Sequence, residues 1–190
     1  ERADSIVLDP HKGLFLPYGV GAVLIKDSAA VLHSHYYTAN YMQDGHNEEL
    51  LKSPANLSPE LTKHFRGLRV WLPLQLHGIA PFKACLEEKL LLVQYFRMKL
   101  GTLGFHTGPE PDLSVSYFWY PFASRADDLN KRLMEEIHKD GAVFLSSSVI
   151  NGRFVIRMAI LAFRTKKETI DEAVEMIQRC LDRVVQATGD

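Results

Sequence analysis

Two short, unbroken apolar runs near the start constrain this chain more than any other feature: Ser5-Ile6-Val7-Leu8 and Gly19-Val20-Gly21-Ala22-Val23-Leu24-Ile25. Continuous β-prone runs without polar alternation read as strands covered on both faces. Two strands cannot make a stable sheet by themselves. They are therefore expected at the edge of a larger α/β sheet. Between them, Asp9-Pro10-His11-Lys12-Gly13 sets a primary amine on a turn at a strand end. A lysine desolvated in such a place becomes a nucleophile able to condense with an aldehyde. A solvated turn lysine is the alternative reading.

Length and charge set the outer bounds. A chain of 190 residues holds one ordinary domain, or one small domain and part of another. Its 46% hydrophobic and 24% charged content are those of a globular protein. A formal net charge of −1, with no basic block, argues against nucleic acid or an anionic membrane as partner. No apolar run approaches the roughly 18 residues of a membrane span. Cys85 and Cys180 read as buried, reduced thiols, which points to the cytoplasm. Glu1-Arg2-Ala3-Asp4 has none of the features of a signal peptide and enters a strand at once, as expected of a chain cut from something longer.

Residues 28–57 show no clear period and are rich in polar aromatics, and are expected to form a long site loop. His33, His35 and His46 in that stretch match no ligand spacing, so no metal site is expected. Ser58, Pro59 and Glu60 read as a helix start, with Leu61, Phe65, Leu68 and Leu72 at helical spacing, Pro73 as a kink and Gly78 as the stop. Lys63, His64, Arg66 and Arg69 give that helix a cationic, solvated face.

A second helix is expected from about Pro81 to Leu100, with Phe82, Leu86, Leu90, Val93, Phe96 and Leu100 on one side. A strand with a period of two follows over 113–120. Ser124 then caps a helix carrying Leu129, Leu133 and Ile137, and Ala142 to Ser146 reads as another strand. Asn151-Gly152 between apolar runs is a hairpin signal, because both turn positions need positive φ. A last helix runs from about Lys167 to Val185. From residue 80 onward the order α-β-α-β-β-α describes an antiparallel sheet with helices on one face.

Four stretches, in order and in register, resemble the group II pyridoxal-phosphate-dependent amino-acid decarboxylases. They are Ala3-Asp4-Ser5 with Asp9-Pro10-His11-Lys12; Leu61 to Trp71, similar to that family's Arg-Arg-Phe-Arg-x-Leu-Lys-x-Trp helix; Gly141 to Ser146; and Arg153 to Ala159. The resemblance implies an α/β protein of fold-type I. Residues 1–79 would be the C-terminal part of the large cofactor domain with its catalytic loop, and 80–190 the C-terminal small α+β domain.

It also implies pyridoxal 5'-phosphate as cofactor, Lys12 as the Schiff-base lysine, and His11 and Asp9 beside the cofactor. Tyr41, in Ala39-Asn40-Tyr41-Met42, aligns with the loop tyrosine that protonates Cα in the partner subunit's site, with Tyr36 and Tyr37 as runners-up. The expected assembly is a homodimer, and the expected substrate a small molecule, an L-amino acid. Thr62 stands where relatives tune side-chain recognition. Arg157 either meets a substrate carboxylate or pairs on the sheet.

Gly13 replaces the family's aromatic residue, and Lys63-His64 its Arg-Arg pair. The groups that tune the cofactor ring lie upstream of Glu1 in that family. The chain alone is therefore expected to be incomplete and inactive. The competing readings are another pyridoxal-phosphate lyase or transaminase-like enzyme, and a truncated dimerisation or interaction module.

Overall fold

The first apolar run extends as β1 (Ser5–Leu8) and pairs antiparallel with β2 (Ala22–Ile25) in a computed structural model that describes residues 2–35 and 54–188. Ser5 lies opposite Ile25 and Leu8 opposite Ala22. The chain divides into two units, Glu1–Ile79 and Ala80–Asp190.

In the first unit a single helical turn, α1 (Pro10–Gly13), joins β1 to the return segment. Proline at its first position supplies a fixed φ and needs no hydrogen bond there. α2 (Ser28–His35) follows β2, then a 3-10 turn over Pro54–Leu57, then α3 (Leu68–His77). Only Pro10, Leu16 and Val20 are buried among the described residues of this unit.

Three expectations change here. The strands expected to be covered on both faces are exposed, Val7 by 73%, because no second layer of the described residues lies over this two-stranded ribbon. Residues 28–35 are helical instead of irregular. The Asp27 carboxylate caps them, its Oδ1 accepting the backbone N–H of Ala29 at 2.9 Å and of Ala30 at 3.1 Å. The helix expected from Ser58 begins ten residues later. The Ser58 hydroxyl donates to the Pro54 carbonyl and accepts from Lys63, so it does not cap a helix. Glu60 is likewise engaged, by both Nη atoms of Arg66. Gly78 ends α3 as expected, at φ 69°, with its N–H on the Leu74 carbonyl.

The second unit is built on α4 (Ala80–Thr102), β3 (His106–Thr107), β4 (Val115–Trp119), α5 (Ala126–Asp140), β5 (Ser146–Ile150), β6 (Arg153–Ala159) and α6 (Lys167–Thr188). Its sheet runs β3-β4-β6-β5, with every neighbouring pair antiparallel. Phe96, Leu100, Phe118, Leu133, Ile156 and Ile177 lie in one buried cluster drawn from all three helices and the sheet.

The Asn151-Gly152 hairpin forms, with φ of 51° and 78° at the two turn residues. The buried side of α4 is Lys89, Leu92, Val93, Phe96 and Leu100, while Leu86 and Leu90 stay more than a third exposed. The strand expected from Ala142 does not form over 142–145, and β5 begins at Ser146. Leu145 is buried, and its carbonyl takes the His138 Nε2–H at 3.0 Å. Arg125, in the left-handed conformation, stands at the start of α5 where Ser124 was expected to cap it.

Candidate functional site

The turn between β1 and β2 gathers three of the residues singled out from the sequence. Asp9 precedes α1 with φ −108° and ψ 82°, and its carbonyl accepts the Lys12 N–H at 2.8 Å. That single turn brings the two side chains onto one side. The Lys12 Nζ donates to Asp9 Oδ2 at 2.5 Å. The hydrogen bond and charge of Lys12, with a smaller contribution from His11, hold the Asp9 carboxyl below its ordinary range. The lysine expected to be desolvated instead keeps 57% of its side-chain surface exposed, and Asp9 keeps 40%.

His11 is half-buried and faces inward. Its Nδ1 meets the Val20 carbonyl at 2.5 Å, and its ring stands edge-on to Tyr18 at 5.3 Å. A carbonyl oxygen can only accept, so Nδ1 carries the proton and Nε2 of the neutral ring keeps its lone pair. The segment that supplies this carbonyl is itself tied down. Arg69 on α3 donates its Nη1–H to the Tyr18 carbonyl at 2.6 Å. Gly19 has φ 86°, and a Cβ there would stand 3.0 Å from the same guanidinium nitrogen.

From the sequence Arg69 reads as one charge on a solvated face and one position of the Leu61 to Trp71 resemblance, neither of which indicates a backbone partner. Its partner lies 51 residues away and is a backbone atom, so no side-chain pattern announces the contact. Gly19, between Tyr18 and the β-prone run, is the one local signal of a close backbone approach.

The other residues singled out fall elsewhere. Thr62 is exposed on the irregular segment ahead of α3. It lies outside the lining of the groove of about 380 Å³ that Pro17, Phe65, Leu68, Arg69 and Leu72 help to form. Arg157 belongs to the second unit, where it is exposed on β6 and donates to the Ser146 hydroxyl at 3.3 Å. Tyr41, with Tyr36, Tyr37 and His46, lies outside the described residues. No group of three or more metal-ligating side chains occurs among the described residues. None of the described helices is long and apolar enough to cross a membrane.

Comparison with known proteins gives a consistent result. A family profile described as the pyridoxal-dependent decarboxylase conserved domain matches residues 1–120. An aromatic-L-amino-acid decarboxylase of Bacillus atrophaeus is 30% identical over 96% of this chain and 40% of its own length. Tryptophan decarboxylase 1 of Oryza sativa subsp. japonica is 25% identical, over 94% of this chain and 37% of its own length. Among solved structures, Catharanthus roseus tryptophan decarboxylase in complex with L-tryptophan superposes with a TM-score of 0.82. It is 21% identical, over 96% of this chain and 38% of that one. The chain thus spans about 40% of the length of the relatives it matches.

Proposed function

This chain belongs to the pyridoxal-dependent decarboxylase family, and from that premise we propose that it forms part of an enzyme that decarboxylates an L-amino acid to its amine and CO₂. Its fold is that of the fold-type I pyridoxal-phosphate enzymes. In this reading residues 1–79 are the end of the large cofactor domain and 80–190 the small domain. The observation that carries the reading is the Asp9-His11-Lys12 turn: a reachable primary amine, an oriented carboxylate and an imidazole of fixed tautomer, all on one helical turn.

The donor set fits an aldehyde-bearing cofactor. Lys12 Nζ is exposed enough for a carbonyl carbon to reach, and the His11 ring lies one residue away with its Nε2 uncommitted among the described contacts. Lys12 would hold pyridoxal phosphate through its aldehyde carbon, with His11 beside it and Asp9 orienting the amine. Bound there, the cofactor supplies an electron sink for the pair released as the Cα–carboxylate bond breaks.

This chain's own residues do the rest. Lys12 must leave its ion pair with Asp9 to present a neutral Nζ. Asp9, whose lowered range keeps it ionised across neutral pH, takes the ammonium back. Tyr41 supplies the proton that Cα needs after CO₂ departs. Thr62 and Arg157 are the proposed substrate contacts, through the side chain and the carboxylate respectively. The active assembly is a cytoplasmic homodimer in which one subunit's Tyr41 serves the other's Lys12.

In the full-length protein, borohydride reduction in the presence of pyridoxal phosphate should fix one cofactor on Lys12. The adduct should be absent from Lys12→Ala. Product analysis should find amine and CO₂ in equal amounts. Tyr41→Phe should slow amine release by about 10²–10⁴-fold, the usual worth of a positioned general acid. An aldehyde or keto-acid product from the unaltered enzyme would turn the reading toward a different reaction on the same cofactor. Absence of any Lys12 adduct would end it.

A further inference from the structure

The Lys12 turn is tied to a residue outside the lysine motif, Arg69 on α3. His11 has one described hydrogen-bond partner, the Val20 carbonyl, and that contact decides which ring nitrogen carries the proton. The Val20 carbonyl is in turn set by the backbone just before it. Side-chain burial anchors Leu16 and Val20, but burial of flanking side chains does not fix the rotation of the peptide planes between them.

Gly19 sits between those planes at φ 86°. Glycine can change sign of φ at little cost, so the segment needs an external hold to keep one orientation. The Arg69 Nη1–H on the Tyr18 carbonyl, at 2.6 Å, is that hold. A Cβ at Gly19 would crowd that contact, standing 3.0 Å from the guanidinium nitrogen, and would be strained at this positive φ.

We propose that Arg69 is a positioning residue for the Lys12 site: by pinning the Tyr18 carbonyl it sets the Gly19–Val20 backbone and so selects the Nδ1–H tautomer of His11. The link runs from α3 through Tyr18, Gly19 and Val20 to the imidazole next to Lys12, entirely within the first unit. Its consequence for catalysis rests on the decarboxylase reading, since only there does the His11 ring adjoin the cofactor. The tautomer selection itself does not.

The test is made on this chain with ¹⁵N-labelled histidine and without cofactor, at roughly pH 8, above the ordinary imidazole range. Two-bond ¹H–¹⁵N spectra distinguish the tautomers, and the His11 signals are assigned by their loss in His11→Gln. The unaltered chain should show the Nδ1–H pattern at His11. Arg69→Met, which keeps the aliphatic stem but cannot donate, should replace it with the Nε2–H pattern. Arg69→Lys, which can still donate to a single carbonyl, should retain Nδ1–H. Gly19→Ala should behave like Arg69→Met.

An unchanged Nδ1–H pattern in Arg69→Met overturns the proposal. So does its loss in Arg69→Met and Arg69→Lys alike, which would make bulk at position 69, not its donor, the determinant. Because the spectrum is read without cofactor or substrate, a negative result here leaves the decarboxylase reading standing. Failure of that reading likewise leaves this result intact.

Discussion

Asn130 is a buried polar side chain with three hydrogen bonds. It is 1% exposed, its Oδ1 accepts the Tyr120 N–H at 2.8 Å, and its Nδ2 donates to the Tyr120 carbonyl at 2.9 Å and the Ala126 carbonyl at 2.8 Å. One carboxamide thus reads both backbone groups of the residue just after β4 and ties them to the first turn of α5. Asn130→Ala removes the Tyr120 N–H's acceptor, while the Tyr120 carbonyl keeps the Phe122 N–H at 3.0 Å, and should cost about 1–3 kcal/mol in a urea titration. Asn130→Asp keeps the shape but turns donors into an acceptor facing two carbonyls, so it should destabilise at least as much. A mild effect of Asn130→Asp would show that the amide hydrogens are not what matters. Nothing in the sequence marks this residue. It stands beside Leu129 in a legible apolar stripe, and its meaning lies in a backbone segment ten positions away. Arg69 is hidden in the same way. Lys12 was legible because its motif is local and contiguous.

At the scale of elements, legibility follows how local the deciding interactions are. The β5–β6 hairpin is written in two residues that must both adopt positive φ, and it forms where expected. The stripe Leu129, Leu133 and Ile137 on α5 is buried as its spacing requires. α4 is different, because its inner side includes Lys89, 2% exposed. The Lys89 Nζ donates to the carbonyls of Phe163 and Thr165 and pairs with Glu88, so a charge occupies a position that hydrophobic counting leaves outside the stripe. β4 shows a related effect. Its buried side is Ser116 and Phe118, with Ser114 buried just ahead of the strand, and Ser116 is accommodated there by the Arg97 Nη1–H at 2.9 Å.

The pairing of α5 with α6 carries its own pH dependence. Arg183 and Arg179 reach Asp140, and Arg183 also reaches Glu136. Arg183 chiefly holds the Asp140 carboxyl below its ordinary range, and Lys139 chiefly does so for Glu136. Carboxyls lowered in the folded state add stability above their unfolded pKa and lose it as pH falls through the folded one. Asp140→Asn should therefore melt below the unaltered chain at pH 7. The gap should begin to shrink near pH 4, the ordinary carboxylate range, and close at still lower pH. A gap that persists in acid would assign the effect to packing, not charge.

On the scale of the molecule, the two units differ in how much of themselves they bury. The second unit closes a core over Phe96, Leu100, Phe118, Leu133, Ile156 and Ile177, all at 0% exposure, and its sheet and three helices supply every side of that cluster. The first buries Pro10, Leu16 and Val20 among its described residues, while Val7, Phe65, Trp71 and Leu76 stay more than half exposed. A stable fold must bury enough apolar surface to offset the conformational entropy of every residue it orders. The second unit does so with its own residues, and the described residues of the first do not. A fragment of residues 80–190 should accordingly unfold in one cooperative transition, with a free energy in the range of about 5–15 kcal/mol common to single domains. A fragment of residues 1–79 should show no such transition and should self-associate through the unpaired edges of β1 and β2. Denaturant titration followed at Trp119 for the one, and at Trp71 with light scattering for the other, reads both outcomes. Cooperative, monomeric folding of 1–79 would mean that the ribbon, α1 and α3 suffice to hold the Lys12 turn. Its failure would make the geometry of Asp9, His11 and Lys12 depend on chain beyond that unit.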